Sequence, residues 1–129
     1  MSIEVVKEMY AAFEQGDIPK FLNLCSEDCQ WDHRGPPGPP INKLYTGRSG
    51  VAEFHKTLAE TQETLEFEAN EFFGSGERVV VLGRCRFRVL ATGKEWGSDF
   101  VGAYTVKDGQ ITHWIPVFDL TAEAEAYKP

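Results

Sequence analysis

The sequence predicts an α+β protein in which three helices close the concave side of a strongly curved antiparallel sheet. Helical periodicity dominates the first half of the 129 residues, whereas alternating apolar and polar residues and turn signals dominate the second half. Two of the predicted strands are about twelve residues long, or roughly 40 Å if straight. Each carries an interior glycine, Gly83 or Gly102. Long strands twist and interior glycines mark bends, so this sheet is expected to enclose a cavity.

The first half contains three predicted helices and one short strand. Ser2 caps the first helix, Gly16 ends it, and the apolar residues between them recur at the spacing of one buried helix face. A loop follows the strand, because its four prolines and two glycines fit neither a helix nor a central strand. The predicted elements are helices at 2–15, 17–24 and about 50–60, a strand at 29–33 and the proline-rich loop at 35–40.

The second half reads as four strands joined by hairpin turns, followed by a short tail. Leu65, Phe67 and Ala69 alternate with polar residues, which is the period of a strand with one buried face. Glycine-containing turns at 74–77, 91–94 and 107–110 separate the strands. The predicted strands are 65–70, 78–90, 95–106 and 111–119, and the Ala/Glu-rich tail 121–127 is expected to be helical.

Composition narrows the class of protein. Thirteen basic and twenty acidic residues give a net charge of −7, which argues against nucleic acid or an anionic membrane as a partner. No apolar run is long enough to span a membrane, and the N-terminus lacks a signal-peptide pattern. Three cysteines are an odd number, which argues against a disulfide framework, so a cytoplasmic location is expected. The length predicts one domain, residues 1–129.

Strand parity separates the two faces of the predicted sheet. Cys85 and Phe87 share the inner face, whereas Arg84, Arg86 and Arg88 lie outside, where they either pair with Glu66 and Glu68 or grip an anionic ligand. We favour the ion pairs. The outer face is also apolar in places, through Val80, Leu82, Val101, Ala103, Ile115 and Val117. Because three helices cannot cover both faces, a homodimer through the convex side is expected.

The chain resembles a known superfamily in the order of its elements and in three short segments. Residues 5–17 with their Gly-Asp end, Tyr45–Val51 at the entry to the third helix, and the hairpin Asp108–Ile111 carry the likeness. Together they resemble the nuclear transport factor 2 superfamily, in its SnoaL-like and ketosteroid-isomerase-like branch, over nearly the whole chain. The C-terminal half is similar to limonene-epoxide hydrolase, at Thr92–Lys94, Gly102, Gly109, Ile111–Thr112, Trp114 and Phe118–Leu120.

The resemblance implies a cone-shaped fold of the cystatin-like α+β barrel type, a deep pocket for a small apolar molecule and a homodimer. It does not carry over the known catalytic sets. The epoxide-hydrolase arginine and aspartates fall on Gly83, Cys85 and Pro116. The ketosteroid-isomerase tyrosine falls near Met9 and its protonated aspartic acid on Gly102, neither of which can donate a side-chain hydrogen bond to a ligand oxygen.

Two residues remain as candidates for catalysis. His33 matches the general-base position of ketosteroid isomerase by resemblance and shares a strand face with Trp31; a histidine there can take up or deliver a proton, or can bond to the proline-rich loop instead. Asp32 is expected on the opposite strand face. Tyr10 can donate a hydrogen bond to a carbonyl or an oxyanion, or can be a core tyrosine.

The remaining site candidates form the expected pocket wall. They are Phe13, Trp31, Phe54, Cys85, Phe87, Ser98, Phe100, Trp114 and Phe118, with His55 as a residue of either pocket or core. Cys25, Cys29 and His33 are spaced by four, but a change from helix to strand between them and the lack of a fourth ligand argue against a metal site. No phosphate-binding or dinucleotide motif is present, so no cofactor is expected.

Two classes of function fit these observations. The first is an enzyme of acid–base type, an isomerase, cyclase, dehydratase or hydrolase, acting on a small apolar substrate at His33. The second is a dimeric module that binds a hydrophobic ligand or a protein without catalysis. A largely aromatic wall with one histidine and one or two hydroxyl groups favours binding or weakly tuned catalysis.

Overall fold

The computed structural model describes residues 2–129 and confirms the α+β class. Six strands form one curved sheet in the order β2-β1-β6-β5-β4-β3, and helices pack against its concave side. The elements are α1 Ser2–Gln15, α2 Ile18–Asn23, β1 Cys25–His33, β2 Lys43–Thr46, α3 Gly47–Thr61, β3 Gln62–Ser75, β4 Arg78–Val89, β5 Glu95–Lys107, β6 Gln110–Val117 and α4 Leu120–Ala126.

Aspartate side chains cap the first turns of two helices. Asp17 caps α2 by accepting from the Lys20 backbone N–H at 3.1 Å, and Asp119 caps α4 by accepting from the Ala122 N–H at 3.0 Å. α3 begins at Gly47, three residues before the predicted start at Gly50. Gly47 has a φ of +73°, a conformation that side chains rarely adopt, so the chain can turn directly from β2 into the helix.

Two sequence expectations about the sheet were wrong. The sheet is not wholly antiparallel, because β1 pairs with β6 in parallel, with Trp31 opposite Trp114. Strand β2 was not predicted; it pairs antiparallel with β1 and places Tyr45 opposite Trp31. Alternation along a strand shows which residues share a face, but it does not show which way the neighbouring strand runs. α4 is a fourth helix beyond the three expected to close the sheet.

Register shifts bend the long strands, and one of them lies at Gly83 as expected, whereas Gly102 pairs regularly with Pro116. β3 and β4 pair along their whole length, and their register shifts between Thr64 and Glu66 and again between Ala69 and Glu71. Gly83 lies opposite Ala69, beside the second shift. A bulge increases the local twist, so the sheet wraps around the side chains on its concave side. No helix among residues 2–129 is long and apolar enough to cross a membrane.

Candidate functional site

A cavity lies between the concave face of the sheet and the helices. About 60 Å³ of it can be reached by the centre of a water molecule, which is room for several waters or a small ring system. The wall is dominated by aromatic rings and contains all three tryptophans of the chain. The lining residues are Met9, Tyr10, Phe13, Phe21, Trp31, His33, Ile41, Phe54, His55, Leu58, Gln62, Phe67, Phe87, Trp96, Phe100, Tyr104, Trp114, Phe118 and Glu123.

The structure brings together nine of the eleven residues that the sequence assigned to the site. His33 and Tyr10 both line the cavity, and so do the seven aromatic residues Phe13, Trp31, Phe54, Phe87, Phe100, Trp114 and Phe118. His55 also lines it. Strand parity and helix periodicity therefore located most of the wall, because both give the direction of a side chain relative to the core.

Cys85 and Ser98 are not part of the cavity wall. Cys85 has the expected inward parity, but it pairs across the sheet with Phe67, whose ring lies 4.8 Å from that of Phe100 and 6.3 Å from that of Phe87. The buried thiol donates to the Ser98 carbonyl oxygen at 3.6 Å, and burial raises the pKa of Cys85 to about 12. The Ser98 hydroxyl instead accepts a hydrogen bond from the Asp119 N–H at 2.9 Å, which fixes the start of α4.

His33 stands at the end of β1 with its ring inside an aromatic cage. The ring centroids of Phe54, Trp114 and Phe118 lie 5.3, 5.7 and 5.5 Å away. Nδ1 is buried and has no hydrogen-bond partner among the described residues. Burial lowers the pKa of His33 below 6.5, so the imidazole is neutral near pH 7 and one ring nitrogen carries a free lone pair. Asp32 is bound instead to Arg34 at 2.7 Å.

The proline-rich loop reaches His33 through Asn42. The Asn42 amide donates to the Pro36 carbonyl at 3.1 Å, and Asn42 raises the pKa of His33 against the larger effect of burial. A side chain at Gly35 would meet the Asn42 amide nitrogen at 2.8 Å, so the loop needs a glycine there. His33 therefore contacts the loop indirectly, which differs from the direct bond considered above.

Tyr10 and Tyr104 form a hydroxyl pair on another part of the wall. Their oxygens are 2.7 Å apart and buried, and burial raises the pKa of both phenols. One hydroxyl proton is used between them, so the pair keeps one proton for a further acceptor. A Cβ on Gly102 would lie 3.3 Å from the Tyr10 oxygen and 3.4 Å from Trp114 Nε1, so two polar groups converge at this glycine beside the Tyr104 ring. Trp114 Nε1 lacks a partner within residues 2–129.

Sequence reasoning missed one polar part of the wall. Glu123 on α4 is 2% exposed and accepts a hydrogen bond from Gln62 Nε2 at 2.9 Å. Gln62 Oε1 in turn accepts from Trp96 Nε1 at 2.8 Å. Nothing in the Ala/Glu-rich tail distinguished Glu123 from its exposed neighbour Glu125. The only available signal was helical spacing, which puts Glu123 beside Ala126 on the buried face of a helix of seven residues.

Cys25, Cys29 and His33 do not form a metal site. Within the part of the chain that the structure describes, no three histidine, cysteine, aspartate or glutamate side chains gather as metal ligands. Cys25 and Cys29 are buried free thiols. The interaction with the Cys29 thiol, together with burial, raises the pKa of Cys25. His33 faces aromatic rings instead.

The outer face of the sheet carries paired charges and an apolar patch. Arg84 contacts Glu66 at 3.7 Å and Asp99 at 3.3 Å, and Arg86 and Arg88 pair with Glu95 and Glu63, so the arginine row is ion-paired as preferred above. Of the two partners expected from the sequence only Glu66 takes part, and Glu68 forms no ion pair within residues 2–129. The apolar patch consists of two rows across neighbouring strands: Phe73, Val80, Ala103 and Ile115, and then Leu82, Val101 and Val117. Ile115 and Val117 are 50% and 60% exposed.

Comparison with known proteins assigns the fold. Residues 6–114 match the family model of the SnoaL-like domain. An NTF2-like protein from Burkholderia xenovorans LB400 superposes with a TM-score of 0.88, at 30% identity over 98% of this chain and 95% of that chain. TerC, crystallised with polyporic acid, gives 0.86 at 29% identity over 99% and 98%.

A third structure shows the fold alone. It is a protein from Pseudomonas putida KT2440 described as a polyketide cyclase, with a TM-score of 0.77 at 20% identity, over 98% of this chain and 97% of that chain. The likeness of the C-terminal half to limonene-epoxide hydrolase stays a prediction. The family match and the cone-like sheet agree with each other. The chain therefore belongs to the family of SnoaL-like domains, with a nuclear transport factor 2-like fold.

Proposed function

We propose that the protein binds a small aromatic molecule in the cavity and transfers a proton on it with His33 as the base. The observation that carries this proposal is the position of His33. Its ring packs against three aromatic rings, while Nδ1 is buried with no partner among residues 2–129. A neutral imidazole in an apolar site is a competent general base near neutral pH.

The wall supports an aromatic ligand. Flat rings from eight elements face the cavity, and ring pairs add about 0.5–1.5 kcal/mol beyond the area that they bury. TerC, which is 29% identical, was crystallised with polyporic acid, so we extend ligand binding in this cavity to the present chain as part of the proposal. The chemical class of reaction that we propose is isomerisation or cyclisation through a carbanion or enolate next to a carbonyl group.

The tyrosine pair would support that chemistry. The remaining hydroxyl proton of Tyr10 and Tyr104, together with Trp114 Nε1, supplies donors for a developing oxyanion. Trp114 lies 5.7 Å from the His33 ring and 6.5 Å from the Tyr104 ring, measured between centroids. A flat ligand that lies along Trp114 could thus meet a base at one end and hydrogen-bond donors at the other.

A second candidate function is binding without catalysis. It is favoured by the expected likeness to limonene-epoxide hydrolase, which would place the catalytic positions of that enzyme on Gly83, Cys85 and Pro116, none of which can do the same chemistry. In this case the cavity holds the same kind of ligand, and His33 contributes only to the wall. The two candidates differ in whether a bound ketone exchanges its acidic protons.

The test uses 2-tetralone, a small aromatic ketone with exchangeable α-protons. Binding is followed by tryptophan fluorescence, because Trp31, Trp96 and Trp114 all line the cavity. Exchange of the α-protons in D₂O is followed by NMR. We expect saturable quenching and accelerated exchange, and we expect His33→Gln to retain the quenching while exchange falls by about 10²-fold.

His113→Gln is the matched control, since His113 is exposed. A His33→Gln variant that exchanges as fast as the wild type would refute proton transfer at His33. Quenching without accelerated exchange in the wild type would support the binding module instead. Absence of quenching in the folded wild type would contradict ligand binding altogether.

We also propose that two copies associate through the apolar patch on the outer face. Phe73, Ile115 and Val117 are each at least 50% exposed there, and large exposed apolar patches mark interaction surfaces. Sedimentation should show a dimer, and Ile115→Lys combined with Val117→Lys should give a monomer with unchanged helix and strand content. Leu90→Lys, in the turn after β4 and 51% exposed, is the control. A wild-type protein that stays monomeric at high concentration refutes the proposal.

A further inference from the structure

Glu123 carries a buried carboxyl group that takes no part in the proposed proton transfer. It lies on α4, lines the cavity and is 2% exposed. Oε2 accepts from Gln62, whereas Oε1 has no hydrogen-bond partner within the described chain. A buried polar atom without a partner costs about 1–3 kcal/mol, so its presence in a cavity wall calls for an explanation.

The neighbours of Glu123 fix which of its oxygens can act on a ligand. The indole N–H of Trp96 can only donate, so it must meet the carbonyl oxygen of Gln62. The Gln62 amide is thereby oriented with its NH₂ group toward Glu123, and Oε2 has to accept. Oε1 is the oxygen left for the ligand.

The surroundings favour the uncharged form of this carboxyl group. Burial raises the pKa of Glu123, and the nearby amides of Gln62 and Asn42 offset that effect only in part. The titratable groups that interact with it are Cys85 of β4 and Tyr127 at the end of α4, and burial raises the pKa of both. Among the described residues that set its pKa, none is basic. An uncharged carboxyl group whose Oε2 accepts from Gln62 carries its proton on Oε1.

Two other unpartnered atoms belong to residues near Glu123, His33 of the wall and Asn42 behind it. Asn42 influences both His33 and Glu123, and its Oδ1 has no partner among residues 2–129. His33 Nδ1 is the third such atom. Because Trp96 contacts Phe118 and Phe118 contacts His33, the carboxyl group and the imidazole lie on the same side of the aromatic wall. A ligand near His33 is therefore within the surroundings of Glu123.

We propose that Glu123 selects ligands that carry a neutral carbonyl oxygen, such as a ketone or a quinone, by donating a hydrogen bond from Oε1 to that oxygen. This inference rests on the proposed ligand binding in the cavity and adds the class of ligand. Gln62 and Trp96 hold the carboxyl group in place. This bond gives Oε1 a hydrogen-bond partner, whereas a hydrocarbon of the same shape would leave Oε1 without one.

The test compares 2-tetralone with tetralin, which has the same ring frame and no carbonyl group. The ratio of the two dissociation constants is measured by tryptophan quenching in the wild type, Glu123→Gln and Glu123→Leu. Glutamine mimics a protonated carboxyl group, because its oxygen can accept from Gln62 while its NH₂ group donates to the ligand. We expect Glu123→Gln to keep the wild-type preference for the ketone and Glu123→Leu to lose about tenfold of it.

A spectroscopic measurement accompanies the affinities. The C=O stretch of bound, carbonyl-labelled 2-tetralone should lie at lower wavenumber in the wild type and Glu123→Gln than in Glu123→Leu. Thermal unfolding of each variant checks that it is folded. A merely structural role would not move the carbonyl band.

The outcomes separate this inference from the function on which it rests. If neither compound quenches the wild type, the proposed ligand binding fails. If both compounds bind but the ratio and the C=O stretch are the same in all three proteins, the role of Glu123 is overturned and cavity binding stands. A preference lost in both variants would show that a hydrogen-bond donor at position 123 does not account for it, which also overturns the inference.

Discussion

The buried histidine His55 should make the protein sensitive to acid, and its replacement should remove that sensitivity. Its ring lies 4.4 Å from that of Phe21 and 5.8 Å from that of Phe13, and Nε2 is buried without a partner in the described chain. Burial lowers the pKa of His55 from 6.5 to about 4. The folded protein therefore binds fewer protons than the unfolded chain between these two pH values, and the free energy of unfolding falls as the pH falls through that window.

The size of the effect follows from the shift. One pKa unit corresponds to about 1.4 kcal/mol, so protonation of the unfolded chain at His55 would cost the folded state about 3 kcal/mol if the pH fell through the whole window. Between pH 7 and pH 5 the loss amounts to about 2 kcal/mol. His55→Leu removes the titrating group, so its free energy of unfolding should decrease by about 2 kcal/mol less over the same range.

Urea unfolding at pH 7 and pH 5 measures the difference directly. His33 and Glu123 titrate in both proteins, so their contributions cancel when the variant is subtracted from the wild type. His113→Leu is the control, because that side chain is exposed. Equal losses of stability in the wild type and His55→Leu would refute the argument, since they would mean that His55 is not buried in its neutral form.

Two further predictions concern packing around the cavity. Gly83→Ala should lower the free energy of unfolding by about 3 kcal/mol and lower Tm, because the new Cβ would meet the Glu68 carbonyl oxygen and lie 2.6 Å from the Phe100 ring. Gly97→Ala, whose Cβ would have its nearest contact at 3.3 Å, should cost less than about 1 kcal/mol. Equal costs would contradict the bulge argument. Tyr10→Phe and Tyr104→Phe should each cost about 1–2 kcal/mol in urea unfolding, and the double variant should cost about 1 kcal/mol less than their sum; additive losses would mean that the 2.7 Å bond contributes nothing.

The sequence predicted the elements whose side chains repeat over many residues. The bounds of α1, β4 and β5 agree with the bounds predicted from periodicity and turn residues to within one residue. β2 has only four residues after a proline-rich loop, and so short a strand leaves no period to detect. The parallel pairing of Trp31 with Trp114 depends on how the chain returns to the sheet over some eighty residues, which no local pattern records.

The residues of the site that the sequence predicted are likewise those whose position follows from a local pattern. Parity placed Phe87, Phe100 and Trp114 on the cavity wall, because the direction of a strand side chain is a local property. It could not show that the Cys85 thiol meets the Ser98 carbonyl oxygen and stays out of the cavity wall, because that depends on the packing of the neighbouring strand. Glu123 was missed for a related reason: its burial comes from the packing of α4 against β5, and glutamate is normally an exposed residue.

The distribution of unpartnered polar atoms ties the fold to its proposed function. Of the seven such buried side-chain atoms found within residues 2–129, five belong to residues that line the cavity: Trp31, His33, His55, Trp114 and Glu123. Each costs about 1–3 kcal/mol in an otherwise well-packed interior, and apolar residues of similar size would avoid that cost. A ligand whose oxygen atoms meet several of these groups would recover part of it on binding. A plain hydrocarbon of the same shape offers these atoms no partner, so the polar groups of the wall favour oxygen-bearing ligands over hydrocarbons.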